Sequence, residues 1–151
     1  MFKKAVIGGT FDRLHIGHKK ILKTAFDIAE SIVIGLTSDE FANRFRSSET
    51  LPYDSRKKAV EEYVKGLNRG YKIVKIDDSY GVATIDSEID CIVVSEETLL
   101  RAEEINAIRL KKNMPKLNIV VIPILLASDG SPISSERISR NEIDSEGRLK
   151  K

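Results

Sequence analysis

Gly8-Gly9-Thr10-Phe11-Asp12-Arg13-Leu14-His15-Ile16-Gly17-His18 decides how this chain is read. A short apolar run, Ala5-Val6-Ile7, precedes it, and a segment with helical apolar spacing, His18 to Glu30, follows it. A strand that ends in a glycine turn and opens into a helix brings backbone N–H groups and a helix N-terminus against a phosphate. His15 and His18 are the only histidines, and at i and i+3 they face one side of a helical turn. Two imidazole donors aimed at one spot suit a triphosphate, and Gly17 between them lets backbone approach without a Cβ. No cysteine or carboxylate set accompanies them, so a metal site built by protein side chains alone is not expected.

Working outward, strands alternate with helices. Strands are expected over 4–7, 31–37, 71–76, 90–94 and 117–125, with 31–37 nearly all apolar, as when both faces are covered, and 71–76 alternating. Helices are expected over 18–30, in a short Ser38-capped turn, from Asp54 or Ser55 to a stop at Gly70, over 96–113 and, Ser-capped, over Ile133 to Arg140. A marginal helical turn is expected near Ala83 to Asp86, and a mobile, Pro-terminated loop over Arg46 to Pro52. The fold class is therefore α/β: a Rossmann-like, doubly wound, five-stranded parallel sheet with helices on both faces. Residues 1–151 fit one domain, with a polar tail expected to fray from about Asn141. Ligands of such sheets bind beyond the carboxyl ends of the strands, where the loop at 8–18 should meet the residues after Thr37, Val94 and Ile124.

A net charge of +2, from 25 basic and 23 acidic residues, gives no reason to expect nucleic acid or an anionic membrane as partner. The start of the chain has no apolar leader and no run approaches a membrane span, which makes a cytoplasmic location the expectation. The lone Cys91, in Asp90-Cys91-Ile92-Val93-Val94, reads as a buried strand residue. The sequence leaves the choice between monomer and homo-oligomer open.

The remaining site candidates each have a plainer reading. Ser134 and Ser135 can be a mere helix cap, yet two hydroxyls at a helix mouth after the last strand form a second anion cradle. Arg137 and Arg140 clamp phosphate or are solvated. Glu96 and Glu97 are explained by a helical first turn. Arg44, Arg46 and Arg56 are surface residues by default, of which one or two could meet a second phosphorylated substrate.

Gly9-Thr10-Phe11-Asp12 with His15-Ile16-Gly17-His18, and Ile133-Ser134-Ser135-Glu136-Arg137 near the end, resemble the two signatures of the nucleotidylyltransferase superfamily and its HIGH fold. Class I aminoacyl-tRNA synthetases share the first, but this chain is far too short for one. Gly35-Leu36-Thr37-Ser38-Asp39-Glu40-Phe41, Val93-Val94-Ser95-Glu96-Glu97-Thr98, Ala102-Glu103-Glu104-Ile105-Asn106-Ala107-Ile108-Arg109 and Ile133-Ser134-Ser135-Glu136-Arg137-Ile138 are most similar to the archaeal type of phosphopantetheine adenylyltransferase. That resemblance covers about Phe2 to Arg148. It implies transfer of adenylyl from ATP, with Mg²⁺, to 4′-phosphopantetheine, giving dephospho-coenzyme A and pyrophosphate. It implies that Thr10 and His18 contact the reacting phosphates, and that Gly8, Gly9, Phe11, Gly17, Ser134 and Ser135 line the ATP site. His15 with the Ser134–Ser135 helix end would hold the β,γ-phosphates. Bacterial members carry a lysine after the second strand and arginines after the fourth. Here Thr37-Ser38-Asp39 and Ser95-Glu96-Glu97 stand there instead, and Leu99-Leu100-Arg101 replaces a glycine-containing turn. Thr10, Thr37, Arg44 and Arg46 are then the candidates for the acceptor, with Arg101 and Arg109 as further substitutes for the missing cations. The first loop alone also allows FMN, nicotinamide mononucleotide or glycerol 3-phosphate as acceptor, or a non-catalytic nucleotide sensor.

Overall fold

The structure, a computed structural model, describes residues 1–44 and 49–150. Five parallel strands, β1 (Phe2–Gly9), β2 (Ala29–Thr37), β3 (Gly70–Ile76), β4 (Cys91–Ser95) and β5 (Asn118–Ile122), form one sheet in the order β3-β2-β1-β4-β5. Helices α1 (Ile16–Ile28), α2 (Asp39–Asn43), α3 (Tyr53–Val64), α4 (Leu99–Lys111) and α5 (Ser135–Ser139) connect and follow them, with α2 and α3 both between β2 and β3 and a 3₁₀ turn (Gly81–Thr84) between β3 and β4.

The two-residue period of the strands divides the core. Ala5, Ile7, Ile32, Ile34, Leu36 and Val93 pack on one face against Leu22, Phe26, Val60 and Val64 of α1 and α3. Val6, Val33, Ile92 and Val94 face the other way, onto Ala102 and Ile105 of α4. Each fully buried Leu, Ile or Phe contributes about 1.5–3 kcal/mol.

The strand order reverses between β1 and β4, and register opens the sheet there. β1 pairs with β2 as far as Gly9↔Leu36, but with β4 only at Ala5↔Cys91 and Val6↔Ile92. Beyond Val6 the carboxyl ends of β1 and β4 diverge, leaving room for ligand at the switch point.

Several boundaries differ from expectation for local reasons. The third helix starts after Pro52, and a 3₁₀ turn over 65–67 ends at Asn68 in the left-handed region (φ 55°), so Gly70 opens β3 instead of closing the helix. β5 stops at Ile122, because Pro123 has no N–H for a ladder. The segment after β4 begins as a 3₁₀ turn over Glu96–Thr98, and Leu100 and Leu110 of α4 are exposed rather than part of the apolar face. Cys91 is fully buried, and burial, with Asp90 nearby, pushes its thiol up to about 11, which leaves it an inert core residue.

The frayed tail is overturned. Ile143 is fully buried with Ala127 and Ile133, and Asp144 to Arg148 closes a turn in which Asp144 accepts from the backbone of Glu146 and Arg148. Ser128 and Gly147 join backbone N–H to carbonyl at 2.9 Å, and the Ser145 carbonyl accepts from Ile16 N–H, at the start of α1, at 3.0 Å.

Candidate active site

The loop between β1 and α1 holds two non-glycine residues at positive φ, Phe11 (50°) and Arg13 (47°), a conformation that survives only where surroundings fix it. Here Asp12 does so. Its carboxylate accepts from Leu51 N–H at 2.8 Å and pairs with Arg13 at 2.5 Å, and its carbonyl accepts from the Ser135 hydroxyl at 2.5 Å. Phe11 is buried, and a Cβ on Gly9 would come within 3.2 Å of its ring.

The two histidines form one unit. His15 is the N-cap of α1, and its Nδ1 accepts from Gly17 N–H at 3.0 Å and His18 N–H at 3.3 Å, while His18 Nδ1 accepts from His15 N–H at 3.2 Å. The rings stack with centroids 3.7 Å apart. With both Nδ1 atoms accepting, each ring carries its proton on Nε2. Burial, partly opposed by the nearby Asp12 carboxylate, lowers His15 to about 4, so it is an uncharged donor at neutral pH. Gly17 serves this pair directly, since a Cβ there would lie 2.8 Å from His15 Cε1. The first N–H groups of α1 are thus taken by His15 and by Ser145. Of the imidazoles and backbone amides expected at this helix mouth, the amides are engaged within the fold, which leaves the imidazoles facing a ligand.

Two clefts meet at the switch point. One, of about 490 Å³, is lined by His15, Gly17, His18, Pro123, Ile124, Ser134, Ser135 and Glu136. The other, of about 530 Å³, is lined by Gly8, Gly9, Thr10, Thr37, Tyr80, Leu100 and Arg101. Glu97 lines both.

The structure therefore brings the loop at 8–18 and the 133–136 segment together, but divides the expected residues. His15, Gly17, His18, Ser134 and Ser135 share the first cleft. Gly8, Gly9 and Thr10 line the second, and Phe11 lines neither. The serine hydroxyls have structural partners: Ser134 accepts from Arg137 N–H at 3.2 Å, and Ser135 donates to Asp12. Arg137 lies outside both clefts, its guanidinium pairing with Asp129 at 2.5 Å and Glu142 at 3.5 Å. Arg109 is wholly buried, donating to the carbonyls of Pro115, Ala83, Asp86 and Ile89, and is a strut. Arg44 sits over the Phe41 ring outside either lining, and Arg46 lies outside the described residues, as does the start of the loop expected from it.

Arg56, expected at the surface, is 1% exposed. It donates to the carbonyls of Leu51 (2.8 Å) and Thr10 (2.9 Å), to the Thr37 hydroxyl (3.4 Å) and to Asp39 (2.9 Å). Thr37 in turn donates to the Thr10 hydroxyl at 3.0 Å. The signal was its spacing: Arg56, Val60 and Val64 lie four apart, on the buried face of α3.

Residues 6–141 match the family described as cytidylyltransferase-like. The phosphopantetheine adenylyltransferase of Methanopyrus kandleri is 45% identical over 145 residues, spanning 95% of this chain and 92% of that protein. That of Methanothermobacter thermautotrophicus is 43% identical over 148 residues, spanning 98% and 90%. Among solved structures, a protein of unknown function from Archaeoglobus fulgidus superposes with a TM-score of 0.69 at 36% identity, over 79% of this chain and 88% of that one. With a sheet that opens at its switch point, a stacked histidine pair at the first helix and relatives this similar along nearly the whole sequence, the chain belongs to the cytidylyltransferase-like family and, within it, to the phosphopantetheine adenylyltransferases.

Proposed function

We propose that this chain transfers the adenylyl group of ATP to 4′-phosphopantetheine, releasing pyrophosphate and dephospho-coenzyme A. The observation that carries the reading is the pair of clefts joined at Glu97, with Thr10 in one and the stacked histidines in the other. ATP takes the histidine cleft and the acceptor takes the Thr10 cleft, whose walls of Phe41, Ile76, Val82, Ala83 and Leu100 suit a long, largely uncharged arm.

An acceptor phosphate oxygen attacks the α-phosphorus as its bond to the bridging oxygen of pyrophosphate breaks. A phosphate monoester, with a second pKa of about 6, is already largely ionised at neutral pH, so the attack needs no general base. Catalysis then consists of alignment and of relieving charge. His18 donates from Nε2 to the α-phosphate, His15 and the Ser134–Ser135 turn hold the β,γ-phosphates, and Thr10 holds the attacking phosphate in line.

Mg²⁺ enters with ATP as part of the substrate, held by phosphate oxygens and water. Both imidazoles present N–H groups, which suit anions and not a cation. Among the described residues no helix is long and apolar enough to cross a membrane, and the reaction proposed belongs to the cytoplasm.

Incubation with MgATP and 4′-phosphopantetheine, following pyrophosphate, tests the reading. Turnover only with FMN, nicotinamide mononucleotide or glycerol 3-phosphate would replace the acceptor, and nucleotide binding without any turnover would make the chain a sensor.

A further inference from the structure

We infer that Arg56 is a positioning residue for the transfer, acting through Thr37 to present the Thr10 hydroxyl as a donor to the acceptor's phosphate. The inference rests on the adenylyl-transfer reading above.

The hydrogen bonds run in one direction. Arginine only donates, so the Thr37 oxygen accepts from Arg56 at 3.4 Å. The Thr37 proton then goes to the Thr10 oxygen at 3.0 Å. With its oxygen engaged, Thr10 has its own proton to give, and Thr10 lines the acceptor cleft. A buried cation at the head of such a row polarises each hydroxyl toward donation. Arg56 also fixes the Thr10 backbone through its carbonyl, at 2.9 Å. Its own place is set by the Leu51 carbonyl and by Asp39, from the loop before α3 and the first turn of α2.

This arrangement supplies what the sequence lacks after β2. Thr37-Ser38-Asp39 offers no cation there, and Arg101, the basic residue among the described residues of the acceptor cleft's lining, lies beside Tyr80 and Glu104. Arg56, its guanidinium also paired with Asp39, acts from beneath by orienting two hydroxyls, without meeting the substrate. Chemistry of this kind favours a dianionic phosphate monoester over an uncharged alcohol as acceptor.

The test is a double-mutant cycle on turnover, with thermal melting to confirm that each variant folds. Thr37→Val leaves every other Arg56 bond in place. It is expected to lower kcat/KM for 4′-phosphopantetheine about tenfold, with KM for ATP changed by less than about twofold. Thr37→Ser, which keeps the hydroxyl, is expected to recover most of that loss. Thr10→Val with Thr37→Val should be no worse than Thr10→Val alone. If the two losses multiply instead, or if Thr37→Ser is as poor as Thr37→Val, the relay is wrong. Arg56→Lys, which keeps charge but loses the fork, should resemble Thr37→Val if it folds; the Thr37 variants decide the matter if it does not. A wild-type chain that releases no pyrophosphate with this acceptor overturns the reading and the relay together, whereas turnover with multiplying losses overturns the relay alone.

Discussion

His15 and His18 lock one another. The backbone N–H of each is accepted by the Nδ1 of the other, at 3.2 and 3.3 Å, and their rings stack at an interplanar angle of 17°. Because both Nδ1 atoms are committed to the helix mouth, the tautomer of each ring is fixed by the fold before any nucleotide arrives. The pair is a capping device whose outward atoms are N–H donors.

Replacing His18 with Ala is expected to lower turnover by about 10²–10⁴, the usual effect of losing a donor to charge that builds in the transition state. Nucleotide affinity should change much less. Steady-state pyrophosphate release and calorimetric ATP binding separate the two effects, and unchanged turnover would remove His18 from the mechanism.

Gly17→Ala tests the histidine pair without touching either ring. The new methyl would sit 2.8 Å from His15 Cε1, so the ring must leave its place between the two amides. Overpacking of this kind costs about 1–3 kcal/mol. Both the melting temperature and kcat should fall, and a variant that melts and turns over like the wild type would show that the cap tolerates a shifted ring.

Acid should destabilise the protein through His15. Its folded-state value is lowered to about 4 from an ordinary 6.5, chiefly by burial. Between those values the unfolded chain binds more protons than the folded one, so unfolding free energy rises with pH from about 4 and levels above about 6.5. The full span is worth about 3 kcal/mol. Urea midpoints taken from pH 4 to 8 should follow this curve. His15→Asn, an N-cap residue that does not titrate, should flatten it.

Ile143→Ala should cost about 2–5 kcal/mol, the penalty for emptying a fully buried aliphatic site. A chain whose tail is loose would lose almost nothing. Turnover should fall as well, because the same segment carries the Ser145 carbonyl that accepts from Ile16 at the head of α1. Denaturant unfolding and pyrophosphate release measure the two parts separately.

The sheet, its parallel strands and the meeting of the 8–18 loop with the Ser134–Ser135 turn were legible, because glycine punctuation, strand-length apolar runs and helix caps are local signals. What escaped was set by distant partners. Arg56 reads as a solvated arginine until the four-residue spacing with Val60 and Val64 is weighed. Arg109 is held by four carbonyls from segments that only the fold brings together. Ile143 is one apolar residue in a polar run, and nothing near it in sequence announces the Ala127–Ile133 cluster that receives it. The Ser135 hydroxyl was read as a ligand donor because its structural acceptor, the Asp12 carbonyl, lies far along the chain, whereas the cap that Ser134 makes with Arg137 N–H is a local signal.

Ser135 reaches back 123 residues to the Asp12 carbonyl, and Ser145 reaches back to Ile16. A ribosome threading this polypeptide must therefore pass residue 145 before the phosphate-handling bend is fully braced. Until then β1 and α1 exist without the Ser135 contact that completes the set holding Phe11 and Arg13 in their unusual conformation. Nascent chains and products cut before residue 135 would carry every histidine and threonine named above and still be poor catalysts, so competence waits on two bonds closed across more than a hundred residues.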